Sequence, residues 1–367
     1  MMFKNLTASL LVFAGAAIAS NAFGAAEAPA AAYRPPQLSE PDNWTMVVIP
    51  DTQNYVKNSR NQGILDLMLT WTAENAEPLR IQQVLVVGDL VDQNRDPNHY
   101  PGRNNQNGDE QWQAFSTLLQ RLDGKLPYIL CTGNHDYGDK DAIDRQTQFP
   151  TYFTPDRNPA WRGILQACGP DSMGDETLAN ACYEFTTPAG QKLLVVSVAF
   201  SPTDAELAWA KAQLDRPEYR DHFAIILTHA YLGSDGKRLT GRGYPVDKDG
   251  NVGEDIWNKL VKVTPNIRLV ICGHISSPDD WDGCTAYSTD RNDAGRTVGQ
   301  LLFDPQALGG GWHGNGGDGW LRLLEFSPDL KTIKVRTFSP LFAASPATRQ
   351  LAWQQEPFNE FEIRFED

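Results

Sequence analysis

The chain has 367 residues, 41% of them apolar and 21% charged, with 46 acidic against 32 basic side chains and a formal charge of −14. That composition describes a globular protein long enough to bury a sizeable core, and it excludes a collagen-like repeat, a coiled coil and wholesale disorder. The acidity also argues against a long nucleic acid or an anionic lipid surface as partner, because both select basic footprints.

The chain starts like an export signal. Lys4 gives a positive start, residues 10–19 are an unbroken run of apolar and small side chains, and Ser20-Asn21-Ala22 offers a small-x-small cleavage site. The run is about half the roughly 20 apolar residues that a spanning helix needs, so residues 1–22 read as a secretory leader and not as a transmembrane anchor. An exported protein, periplasmic or secreted, is expected. Residues 23–42 read as an Ala/Pro-rich linker, and residues 43–367 as a single domain. Export permits disulfides among Cys131, Cys168, Cys182, Cys272 and Cys284, and the odd count leaves one thiol over. Cys168 with Cys182 is the favoured pair, because they bracket a polar, Gly-containing segment; Cys272 with Cys284 is the second choice.

Past the linker, apolar runs alternate with helical spacing. Residues 44–49 read as a strand stopped by Pro50, residues 63–75 as a helix, and residues 81–87 as a Val-rich strand. A helix at 109–122 and a strand at 127–131 follow, then an irregular Pro- and Gly-rich excursion over 149–180. Strands are expected at 183–186, 193–199, 223–228 and 267–272, with helices at 204–214 and near 254–263. The end is rich in strands, at 299–303, 320–326, 333–337 and 361–365, without a convincing helix between them. This order predicts an α/β (α+β) fold of layered sheets with outer helices.

Five of these strands end in polar clusters: Asp51-Thr52-Gln53; Gly88-Asp89-Leu90-Val91-Asp92; Gly133-Asn134-His135-Asp136; His229; and Gly273-His274-Ile275-Ser276. Strand ends are where loops gather site residues on a rigid scaffold. Carboxylate, amide oxygen and imidazole are the ligands that hard or borderline divalent cations take, and no sulfur competes. Singly, each cluster has an ordinary explanation. An Asp after a strand usually caps a helix or forms a turn, and a lone His such as His229 is more often structural than a ligand. Five in order, each at a strand end, form a different kind of signal.

That ordered series resembles the calcineurin-like metallophosphoesterases, over about residues 44–276. The resemblance implies a two-sheet β sandwich flanked by helices, in four layers, with the site at the strand ends. It implies two divalent ions, drawn from manganese, zinc, iron, magnesium or calcium, with Asp89 bridging them. Asn134, His229 and His274 would complete the second site, and Asp51 would ligate the first. Gln53 and Ser276 stand where the family usually has His; Gln53 offers a carbonyl oxygen, and Ser276 a weak or water-mediated contact. Such a centre hydrolyses a phosphate ester, monoester or diester, by a metal-activated hydroxide. His135 would serve as general acid, oriented by Asp92.

Two loops are candidate rims. Residues 94–107 carry Arg95 and His99, and the Gly-rich residues 309–319 carry Trp312 and His313, so Arg95, His99 and His313 are candidate contacts for substrate phosphate. The Gly-rich loop lacks the Gly-x-x-x-x-Gly-Lys arrangement of a nucleotide loop. The expected partner is a small phosphorylated substrate; oligomeric state is left open. The rival is an exported, degenerate phosphoesterase-like module that binds ligand or metal without turnover. Retention of His135 with Asp92 favours the enzyme, since a pure binder has little use for a proton donor.

Overall fold

The computed structural model describes residues 33–366 apart from 140 and 242. The leader at 1–22 and residues 23–32 of the linker lie outside the described residues. Residues 33–42 lie along one sheet: the Arg34 carbonyl accepts from Trp353 Nε1 at 2.8 Å, and Ser39 N–H donates to Glu325 at 2.7 Å. Among the described residues no helix is long and apolar enough to cross a membrane.

Two seven-stranded sheets form the molecule. In the first, β1 (Trp44–Ile49), β2 (Ile81–Val86) and β3 (Tyr128–Leu130) run parallel. On the other side of β1 follow β11 (Leu321–Phe326), β12 (Thr332–Phe338) and the short β13 (Trp353–Gln354) and β14 (Phe361–Arg364), all antiparallel to their neighbours. In the second sheet the order is β4 (Leu165–Pro170), β5 (Glu176–Thr186), β6 (Lys192–Ser197), β7 (Phe223–Leu227), β8 (Ile267–Cys272), β10 (Thr297–Phe303) and β9 (Thr285–Arg291). Strands β6, β7, β8 and β10 run parallel.

Side-chain alternation sets the layers. Along β7 and β8, Ile225, Leu227, Leu269 and Ile271 enter the core between the sheets. The alternate Ala224, Ile226, Val270 and Cys272 face outward, under α5 (Asp204–Leu214) and α6 (Gly253–Ile256). These strands read as continuous apolar runs because both faces are buried. Helices α2 (Gln62–Glu74) and α3 (Gly108–Leu119) cover the first sheet with Leu65, Met68, Trp112 and Phe115, completing four layers. Between the sheets Trp44 meets Phe185 edge-on, and Phe326 meets Phe223 in the same way.

The structure departs from the sequence reading at several places, and one is a short helix at Pro340–Ala344, where none was expected among the terminal strands. The stretch 149–180 is not irregular throughout: it holds β4 and the start of β5. Strand β9 lies in a stretch where no strand was assigned, and the helix expected near 254–263 leaves the α-form at Ile256 and widens into a π-turn over Trp257–Val261. The disulfide expectation is corrected as well, since all five cysteines are free. In the β4–β5 ladder Cys168 faces Ala181 while Cys182 faces Ala167, and the two thiols pack into different cores on opposite faces of the sheet. Cys284 is held in its own loop, where its Sγ donates to the Asp280 carbonyl at 3.2 Å.

Candidate metal centre

The carboxyl ends of parallel strands from both sheets meet on one rim. Strands β1, β2 and β3 deliver Asp51, Asp89 and Asn134; β7, β8 and β10 deliver His229, His274 and Asp304. Hydrogen bonds across the rim fix the meeting, with His274 N–H donating to Asp51 Oδ2 at 3.2 Å. Close approach is needed here. A Cβ on Gly133 would overlap Asp89 Oδ1, and one on Gly273 would overlap Asp51 Oδ1. Asp89 (φ 45°) and His274 (φ 77°) both lie in the left-handed region, the kind of strain that persists where surrounding contacts over-determine it.

Four ligand atoms converge on one point. His229 Nε2 is 3.1 Å from Asn134 Oδ1, 3.4 Å from Asp89 Oδ1 and 3.2 Å from His274 Nδ1. Ligand atoms about 3.0–3.4 Å apart are what a four- to six-coordinate ion with bonds near 2.1 Å requires. The Val87 carbonyl accepts from His229 Nδ1 at 2.8 Å, so Nε2 is the nitrogen that faces the centre. Burial pushes the Asp89 carboxyl up, but His229, His135 and His274 outweigh it and hold it well below the usual range. Burial and the neighbouring His229 hold His274 neutral, its pKa at about 3. Ligand atoms of Asp51, Asp89 and His229 all lie within 4.8 Å of one another.

The side of the centre near Asp51 is built differently. Gln53, on the short helix α1 (Gln53–Val56), donates from Nε2 to Gln306 Oε1 at 2.9 Å. Gln306 Nε2 in turn donates to Asp51 Oδ2 and to Asp304 Oδ2, each at 3.1 Å. Two buried acceptors, Asp51 Oδ1 and Gln53 Oε1, have no hydrogen-bond partner among the described residues. Unsatisfied buried oxygens beside a carboxylate and imidazole cage are what a donor set shaped for cations presents, and these residues fit divalent ions. Ser276 does not join them. Its Oγ donates to the Asp304 carbonyl at 2.6 Å and accepts from the Ala307 N–H at 3.3 Å, so the hydroxyl is engaged with the loop after β10.

Asp304 and Gln306 are the functional candidates that the sequence reading passed over. The signal was present: the strand expected at 299–303 also ends in a polar cluster, Asp304-Pro305-Gln306. Leu302 pairs with Cys272, so Asp304 stands level with His274 on the neighbouring strand.

His135 sits beside the cage. Its N–H donates to Asp89 Oδ1 at 2.9 Å, and its ring Nδ1 lies 2.7 Å from the main-chain carbonyl of Asp92. Orientation by Asp92 therefore runs through the backbone; the Asp92 carboxylate meets Lys57 Nζ at 3.4 Å instead. The second ring nitrogen, Nε2, faces Asp141 Oδ1 at 3.3 Å. Burial alone would lower the pKa of His135, but Asp89, Asp92 and Asp141 together raise it. Asp136 accepts from the N–H groups of Gly133, Leu90 and Val91 at 2.7, 3.2 and 3.1 Å, tying the loop after β3 to the loop after β2.

The three expected substrate contacts separate. Arg95 is engaged with Asp144 at 2.9 Å, with Asp139 at 3.4 Å and with the Gly138 carbonyl and Gln146, so its guanidinium staples two loops together. His99 pairs with Glu110 at 2.7 Å at the start of α3. His313 is exposed, and burial and Lys57 lower its pKa while the Asp92 carboxylate raises it. Its loop is docked on the 3-10 turn Ser59–Asn61 that follows α1: Asn61 donates to the Gly314 carbonyl at 2.8 Å, and Arg60 to that of His313 at 3.2 Å.

A family model described as calcineurin-like phosphoesterase matches residues 45–278. The YvnB protein of Bacillus subtilis (strain 168) is 29% identical over 311 residues, which is 82% of this chain; the chain spans 20% of that relative's length. A dimetal phosphatase from Danio rerio shares the fold, with a TM-score of 0.50 at 13% identity over 88% of this chain and 99% of its own. The purple acid phosphatase PPD1 of yellow lupin (Lupinus luteus) aligns at 0.47 and 11% identity, over 90% of this chain and 55% of its own. The matched stretch contains every strand-end cluster from Asp51 to Ser276, and with it the chain belongs to the calcineurin-like phosphoesterase family, whose chemistry is phosphoester hydrolysis.

Proposed function

We propose that the protein is an exported, metal-dependent phosphoesterase that hydrolyses a small phosphate ester with His135 as general acid. One observation carries the reading: Asp89, Asn134 and His274 each present a ligand atom at 3.1–3.4 Å from His229 Nε2, with a raised-pKa imidazole alongside. Asp51, Asp89, Asn134, His229 and His274, with Gln53 beside them, would hold divalent cations, which would supply positive charge to phosphoryl oxygens and acidify water.

The rest falls to the chain. The Asp92 carbonyl fixes Nδ1 of His135, and the surrounding carboxylates keep a proton on Nε2, where a leaving oxygen can take it. Lys57, almost wholly buried against Asp92, and His313 on the Gly-rich loop place two more nitrogen groups at the edge of the centre, suited to phosphate oxygens. The dimetal phosphatase from Danio rerio supports a two-cation site on this fold. Export rests on the leader-like residues 1–22, and amino-terminal sequencing of the exported chain checks it.

A chromogenic phosphomonoester and the matching diester, assayed with manganese, zinc, iron or calcium, test the reading. Replacing His135 with Ala should lower turnover by about 10²–10⁴-fold while bound metal stays constant. Equal turnover in His135→Ala would remove the proposed acid.

A further inference from the structure

Gln53 and Ser276 stand where the family has imidazoles, and the structure shows what fills their place. The Ser276 hydroxyl is bonded on both sides within the loop after β10, to the Asp304 carbonyl and to the Ala307 N–H. The residue in an imidazole's position thus anchors the backbone of Asp304. From that anchor the Asp304 carboxyl faces the carboxyl of Asp51, and both are fully buried. Gln306 Nε2 lies 3.1 Å from an oxygen of each, so an electropositive group already bridges them.

Two facing buried carboxyls either share a proton, as these do without a cation, or take up a positive charge between them. Among the described residues the ion pair made by Asp51 is with His229, 3.9 Å away, and the hydrogen bonds to the Asp304 carboxylate come from the uncharged Gln306. Asp51 Oδ1 and Gln53 Oε1 complete the group as buried acceptors without a partner. The donors here are oxygen throughout, unlike the imidazole cage next to them.

We propose that Asp304 is a direct ligand of the first cation, in place of the missing imidazoles, forming with Asp51, Asp89 and Gln53 an oxygen-only site for a hard ion such as manganese, magnesium or calcium. The second site, with His229, His274 and Asn134, keeps its nitrogen ligands and its borderline preference. This inference rests on the reading of the rim as a two-cation centre.

The test counts metal on the chelator-stripped full chain after loading with manganese chloride, by elemental analysis and by manganese electron paramagnetic resonance. Wild type should bind two ions per chain. Asp304→Asn should keep one, with the second bound at least about tenfold more weakly. Two ions at unchanged affinity in Asp304→Asn would overturn the Asp304 assignment and leave the phosphoesterase reading standing; fewer than two in wild type would overturn the two-cation reading beneath it. If Asp304→Asn does not fold, anomalous diffraction from manganese-loaded wild-type crystals decides. A manganese peak within about 2.0–2.6 Å of the Asp304 carboxylate supports the assignment, and two peaks with neither near it overturn it.

Discussion

Asp136 shows how one side chain can hold a site together without meeting a substrate. Its carboxyl accepts three main-chain N–H groups from two loops, and burial with the nearby Asp89 raises it to about 7 against those bonds. Asp136→Ala would strand three buried donors, so a loss of about 2–4 kcal/mol in urea unfolding is expected. The glycines make the complementary case. Gly273→Ala would drive a methyl group into Asp51 Oδ1, and weaker metal binding with little change in melting temperature is the expected result of calorimetric titration. A Gly273→Ala chain that binds manganese like wild type would show that Asp51 has room to move. The strand-end clusters and the resemblance they carry singled out Asp89, Asn134, His229 and His274, which the structure brings together, but not what each contact runs through: the Asp92 carbonyl, not its carboxylate, meets His135, and Arg95 and His99 are engaged with Asp144 and Glu110.

The interior strands were legible as elements because parallel strands buried on both faces leave continuous apolar runs, as in β2, β7 and β8. Edge strands leave no such trace. β9, with the sequence TAYSTDR, and β4, with LQACGP, pair on one side and bury little, so their residues resemble loop. The same blindness hid Asp304. A carboxylate after a strand is ordinary, and its meaning comes from the register of β10 beside β8, which sequence spacing does not contain. The start of α3 is set locally. Asn107 and Glu110 form a reciprocal cap at the start of α3, with bonds of 3.0 and 2.8 Å. Asn107→Ala should cost about 1 kcal/mol in thermal or urea unfolding, and a change within error would mean that the packed face of α3 alone sets its start.

Across the whole molecule, the charge of −14 argues against long polyanionic partners, yet the rim concentrates buried carboxyls that a cation would neutralise. Stability should record this. In the metal-free protein Asp136, near 7, and His135 and His229, both raised, bind protons more tightly folded than unfolded. Each stabilises the fold while protonated and loses that contribution as pH rises through its folded value. His274, at about 3, acts in the opposite sense, but only below the ordinary imidazole value of 6.5. Between about pH 6.5 and 8 the chelated protein should therefore lose stability, and saturating manganese should flatten the slope. A melting temperature that rises over that range without metal would contradict the assignment of these groups. The most direct measurement of the central claim follows turnover of a phosphate ester together with bound metal, in chelated and reconstituted wild type and in Asp89→Asn. The account predicts no turnover after chelation, recovery in proportion to manganese bound, and loss of metal and turnover together in Asp89→Asn; undiminished turnover in chelated or Asp89→Asn protein, or none from fully loaded wild type on either a monoester or a diester, would contradict it.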